Sequence, residues 1–140
     1  MTSLFDEQFA WDVRVYWEDT DGGGVVYYAN YLKFLERCRT EWLRARGVSQ
    51  AVLERDRGVL FMVLGVEISY HAPARLDDAL QVTARARPEG RTTAVFEQHI
   101  RRLPTVDAGG EAELLVTAQV RVVCVDAKTL RPRRMLEYLS

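Results

Sequence analysis

Residues 18–31 read EDTDGGGVVYYANY. Three carboxylates (Glu18, Asp19 and Asp21) and three consecutive glycines (Gly22, Gly23 and Gly24) stand between a strand-like run and a helix-like run. A carboxylate can attack an electrophilic carbon or activate a water as general base. Glycine lets the chain turn tightly and lets a substrate approach with no Cβ in the way. Residues 25–30 lead straight into the helical run, and a helix N-terminus offers unpaired backbone N–H groups with a partial positive field. The N–H groups near Tyr28 are therefore suited to polarising a carbonyl oxygen. The same residue types also serve as ordinary turn and N-cap chemistry. Tyr27 and Tyr28 fit core packing equally well, and Trp17 falls on the inward side of the preceding run.

Other reactive side chains are sparse. His71 and His99 have no triad or metal spacing around them, so surface or hydrogen-bonding roles are expected. Cys38 and Cys124 lie far apart without a CxxC or Cys/His pattern, which reads as two reduced, buried thiols and no metal site. Arg85, Arg87 and Arg91 flank a turn, where they form either a solvated basic face or an anion contact.

Periodicity predicts the elements that hold these residues. Phe9, Trp11, Val13, Val15 and Trp17 alternate with polar positions, predicting a half-buried strand over residues 9–17. From Tyr31 the period becomes helical through Phe34, Leu35, Cys38, Trp42 and Leu43, and Gly47 after Arg44 and Arg46 suits the helix end. Ser49 is a plausible N-cap for a short helix to about Arg57. Four strands are then expected: residues 60–70, 80–87, 94–100 and 114–124, with turns at residues 88–90 and 107–110. A strand, a helix and then consecutive strands define an α+β architecture with a mostly antiparallel sheet. One long helix covers only part of such a sheet, so a second subunit is expected on the rest.

Composition narrows the function classes. The 140 residues suit one domain, 1–140. Hydrophobic residues make up 48% and the net charge is -1, which argues against disorder and gives no basic field for nucleic acid. Residues 58–66, the longest apolar run, are too short to span a bilayer. The acidic start MTSLFDEQFAWDV lacks the regions of a secretory signal, so a cytoplasmic location is expected.

The segment DTDGGGVVYYANYLKFLERCRTEWL, followed later by YHAPARLDDALQV, resembles the hotdog-fold acyl-CoA thioesterases of the 4-hydroxybenzoyl-CoA thioesterase and YbgC type. The resemblance implies a curved antiparallel sheet of about five strands around one long central helix, assembled as a homodimer or homotetramer. It implies hydrolysis of an acyl-CoA, or of an acyl carrier protein thioester, without a metal or other cofactor. Asp21 matches the family's catalytic aspartate and Tyr28 its polarising backbone donor. Trp17, Gly24, Val25, Tyr27 and Asn30 would line the substrate, with Arg91 at the coenzyme A phosphates. Tyrosine at Tyr28 is closer to the 4-hydroxybenzoyl-CoA branch, since the YbgC branch usually carries histidine there and tyrosine at Trp17. The alternative is a non-catalytic acyl-CoA-binding module. A hotdog hydratase is disfavoured, because residues 19–31 contain no histidine.

Overall fold

The alternation near the N-terminus forms β1 (Phe9–Arg14), whose odd positions are half-buried and even positions exposed. The chain continues through α1 (Asn30–Ala45), α2 (Gln50–Arg57), β2 (Val59–Tyr70), β3 (Ala79–Glu89), β4 (Thr93–Arg102) and β5 (Glu113–Asp126). The computed structural model describes residues 8–105 and 109–135. Asp107, expected in a turn, lies outside the described residues. The strands form one sheet in the order β1-β3-β4-β5-β2, each neighbour antiparallel. This is the α+β hotdog arrangement, with α1 as the central helix.

The apolar stripe of α1 explains its place. Tyr31, Phe34, Leu35, Cys38, Trp42 and Leu43 are buried at helical spacing. Trp42 meets Phe96 of β4 edge-on, with ring centroids 5.2 Å apart. Cys38 Sγ lies 3.5 Å from the Val82 carbonyl of β3. Burial pushes the Cys38 thiol up to about 12. The helix ends with Gly47 at φ +81°, its N–H donating to the Arg44 carbonyl, while the Val48 N–H donates to that of Leu43. Ser49 caps α2, and Gly58 closes it in the left-handed conformation.

Two expectations about strands change. The turn foreseen at residues 88–90 sits later, because β3 runs to Glu89 and Pro88 pairs with Ala94 of β4. β1 reaches only as far as Ala84, so Pro88, which has no N–H, faces an unpaired edge. In β2 a register shift between Val63 and Gly65 breaks the expected alternation. β2 is an edge strand, and Met62, Val63, Leu64 and Val66 are exposed along it.

One polar side chain ties helix to sheet. Gln98 is fully buried on β4; its Nε2 donates to the Leu35 carbonyl, and its Oε1 accepts from Arg39 Nη1 at 3.0 Å. Replacing it with an apolar residue of similar size strips the arginine of its acceptor. We predict that Gln98→Leu lowers unfolding free energy by about 1–3 kcal/mol, measured by urea denaturation.

Candidate active site

The site loop is shaped before its carboxylate is placed. After β1, the Val15 N–H donates to the Asp78 carbonyl at 2.9 Å, and the Asp77 N–H donates to Val15 O at 3.0 Å. The chain then leaves the sheet. Asp19 Oδ2 accepts from the Tyr16 N–H at 2.8 Å, and the Thr20 hydroxyl donates to the Trp17 carbonyl at 2.7 Å. These caps wind Trp17–Asp19 into a 3-10 turn. Trp17 therefore does not lie on the inward face of a strand as expected; it is 72% exposed.

Asp21 heads the tight turn that follows. Thr20 pairs with Val26, and the Asp21 N–H donates to Val25 O at 3.0 Å. Gly22 and Gly24 hold φ of +89° and +87°, which side-chain-bearing residues rarely adopt. Asp21 Oδ1 accepts from the Gly23 N–H at 2.7 Å, leaving the exposed carboxylate with Oδ2 outside that bond. A Cβ on Gly23 would sit 3.1 Å from Asp21 Oδ1. Asp21 thus braces the turn through Oδ1 and keeps its other carboxylate oxygen outside that bond.

Asp19 also sets the approach to α1. Its carbonyl accepts from the Tyr27 N–H at 3.2 Å and from Asn30 Nδ2 at 2.7 Å. The Asn30 amide is thereby committed to the loop. No side chain caps the start of α1, and the Tyr28 N–H donates to no acceptor among the described residues. The Tyr28 ring is 62% exposed.

Residues to which the sequence assigned no role at the site hold this loop in place. The buried Tyr31 hydroxyl accepts from the Ala74 N–H at 2.9 Å, and the Ala74 carbonyl accepts from Val26 N–H at 2.9 Å. The Leu76 N–H donates to Gly24 O at 3.0 Å, and Val25 pairs with Arg75. The Tyr70 hydroxyl donates to the Tyr28 carbonyl at 3.1 Å. Arg102 gathers the same strap: its Nε donates to Asp78 Oδ2 and its Nη1 to Glu113 Oε1, each at 2.8 Å, and its Nη2 to the Pro73 carbonyl. The sequence signal for these was the YHAPARLDD run, which supplies the strap from Tyr70 to Asp78.

The arginines expected at the substrate lie elsewhere. The site loop packs beside the Ala79 end of β3, whereas Arg91 follows the Glu89 end. An 11-residue strand separates them, about 35 Å at 3.3 Å per residue. Within one protomer the structure does not bring Arg91 to Asp21. Arg87 approaches Glu97 at 3.6 Å, and Arg85 is exposed on the same face. His71 pairs with the Thr117 hydroxyl at 3.1 Å, and burial draws the His99 pKa down. Both cysteines are free and buried. Among the described residues no group of three His, Cys, Asp or Glu could hold a metal ion.

A carboxylate beside a glycine turn, next to a helix start with an unpaired N–H, can add to or hydrate an acyl carbon while its oxygen is polarised. On this fold, groups of that kind suit a thioester hydrolase. The thioesterase superfamily pattern matches residues 23–108. The acyl-CoA thioester hydrolase YbgC of Escherichia coli is 46% identical over 127 residues, covering 91% of this chain and 89% of its own. A probable thioesterase from Bartonella henselae is 32% identical, with a TM-score of 0.79 over 92% of this chain and 99% of that one. The 4-hydroxybenzoyl-CoA thioesterase of Pseudomonas sp. strain CBS-3 shares the fold, with 21% identity, a TM-score of 0.82, and 94% and 96% of the two chains covered. The chain belongs to the thioesterase superfamily and, within it, to the YbgC group.

The Tyr27 and Tyr28 rings sit 4.7 Å apart, and the neighbouring Tyr28 phenol raises the Tyr27 pKa. Raised means that Tyr27 stays neutral further into alkali than an ordinary tyrosine. In Tyr28→Phe, Tyr27 should ionise at lower pH than in the parent, read from the ring Cζ shift in an NMR titration. An unchanged midpoint would show the pair to be uncoupled.

Proposed function

We propose that this hydrolase cleaves acyl-CoA thioesters with Asp21 as the catalytic carboxylate and the Tyr28 backbone N–H as the polarising donor. The observation that carries this is the junction of an exposed Asp21 oxygen, a glycine turn and the unpaired N–H at the start of α1. The matching YbgC relative, named an acyl-CoA thioester hydrolase, supports the choice of substrate class. Asp21 either attacks the acyl carbon, giving an anhydride that water then opens, or removes a proton from the attacking water. Gly24, Val25 and Tyr27 form the walls of the acyl approach, with Trp17 as an exposed aromatic beside it. An acyl carrier protein thioester presents the same bond and is a second acceptable donor.

The assembly is proposed on the β2 edge. A long edge strand with exposed Met62, Val63, Leu64 and Val66 is a ready partner for a second copy, extending the sheet across a dimer. Any contact of Arg85, Arg87 or Arg91 with coenzyme A phosphates would then come from another copy. We read the chain as one cytoplasmic domain.

Two experiments test the reading. Asp21→Asn keeps the shape and the Gly23 contact but removes the charge, so turnover of acyl-CoA should fall about a hundredfold or more, with the fold and acyl-CoA binding intact. Near-parent turnover would leave the loop as a turn and nothing more. Light scattering should return a mass of at least twice 16.1 kDa at micromolar concentration, and a stable monomer would refute the edge pairing.

A further inference from the structure

A polarising N–H must be aimed, and the first turn of α1 does not aim it alone. In a continuing α-helix the Leu32 N–H would donate to the Tyr28 carbonyl, four residues back. Here it donates to the Ala29 carbonyl, three residues back, at 3.2 Å. The Tyr28 carbonyl is thereby left outside the helical ladder. Its one partner among the described residues is the Tyr70 hydroxyl, at 3.1 Å. On the other side of the residue, the Tyr27 carbonyl accepts from the Asn30 N–H at 2.8 Å, and it shares a peptide plane with the Tyr28 N–H. Two peptide planes meet at Tyr28. The main chain holds the first, and a single side chain holds the second.

Tyr70 is anchored on the sheet and not on the loop. It ends β2, its backbone pairs with Val116 of β5, and the next N–H, of His71, donates to the Leu115 carbonyl at 2.7 Å. Its ring lies edge-on to that of Tyr31, with centroids 5.4 Å apart. Burial raises its pKa, and Tyr31 and Tyr28 add to the effect, so the phenol stays protonated and able to donate. The strap beyond it bonds to residues 24–26 and makes no bond to the Tyr28 backbone. Water could satisfy the Tyr28 carbonyl in place of the hydroxyl, but a mobile water imposes no direction.

We propose that Tyr70 is a positioning residue for thioester hydrolysis, its hydroxyl holding the Tyr28 carbonyl so that the Tyr28 N–H points at the developing oxyanion. This rests on the reading of Tyr28 as the polarising donor. Charge on that oxygen builds up only as the transition state forms, so a misaimed donor costs kcat and leaves KM nearly unchanged.

Tyr70→Phe removes the hydroxyl and keeps the ring against Tyr31. The substrate is the acyl-CoA that the parent hydrolyses fastest among short, medium and aromatic acyl chains. On it, kcat should fall at least about tenfold while KM moves less than about twofold. A replacement donor should rescue the loss. p-Aminophenylalanine at residue 70 should recover most of kcat, whereas p-methylphenylalanine, which fills the same space without donating, should not. This pair also carries the comparison should Tyr70→Phe fold poorly. An unchanged kcat, a loss confined to KM, or equal rates in the amine and methyl variants would overturn the proposal. A second arm reads the donor directly. In Asp21→Asn, infrared difference spectra should show the thioester C=O stretch of bound acyl-CoA lowered from its free value, and adding Tyr70→Phe should return it toward that value. A lowered stretch that Tyr70→Phe leaves in place overturns the role of Tyr70 and keeps Tyr28 as the donor. No lowering in Asp21→Asn itself overturns the donor reading, and the role of Tyr70 with it. The kinetic comparison does not depend on the assignment of the carboxylate.

Discussion

The bond from the Ala74 N–H to the buried Tyr31 hydroxyl is the point from which the site is built. Tyr31 belongs to the first turn of α1, and its ring packs against Phe34 on the same helix and Tyr70 at the end of β2. A buried phenol without a partner would destabilise this helix end, so the strap carrying Ala74 must pass close to it. Once there, the strap pairs with the site loop at residues 24–26 and is held from behind by Arg102. Loop, strap and helix start then share one geometry, and none can shift without breaking bonds in the other two.

The two aspartates of the loop divide the labour that this geometry requires. Asp19 spends its carboxylate and its carbonyl on neighbouring N–H groups and fixes the path of the chain. Asp21 makes a single short bond within its own turn and remains at the surface.

Much of this was legible in the sequence because period is a strong signal. The helical stripe from Tyr31 to Leu43 and the clean alternation of Leu80, Val82, Ala84 and Ala86 identified α1 and β3 at once. What failed was anything decided by bonds between distant residues. Trp17 continued the apolar alternation of β1, but short-range caps from Asp19 and Thr20 and the backbone pairing of Val15 with residues 77 and 78 ended the strand earlier. Arg91 looked available to the site on chemistry alone, and only the length of β3 separates them. The family resemblance supplied the thioester; no spacing of residues could have done so. The loop-holding roles of Tyr31, Tyr70 and Arg102 were not legible because core and surface roles were sufficient to account for them in isolation.

The burial of both cysteines bears on how such an enzyme can be followed in solution. Thioester hydrolysis releases a thiol, which a thiol-reactive dye detects through the thiolate form. With its pKa pushed up to about 12, Cys38 would be ionised in about one molecule in ten thousand at pH 8, and it is closed off within the core. Cys124 is likewise enclosed. While the protein stays folded, a chromogenic thiol reagent should therefore count product and leave the catalyst unlabelled. Uptake of the dye by the protein itself would then become a measure of unfolding in the same cuvette.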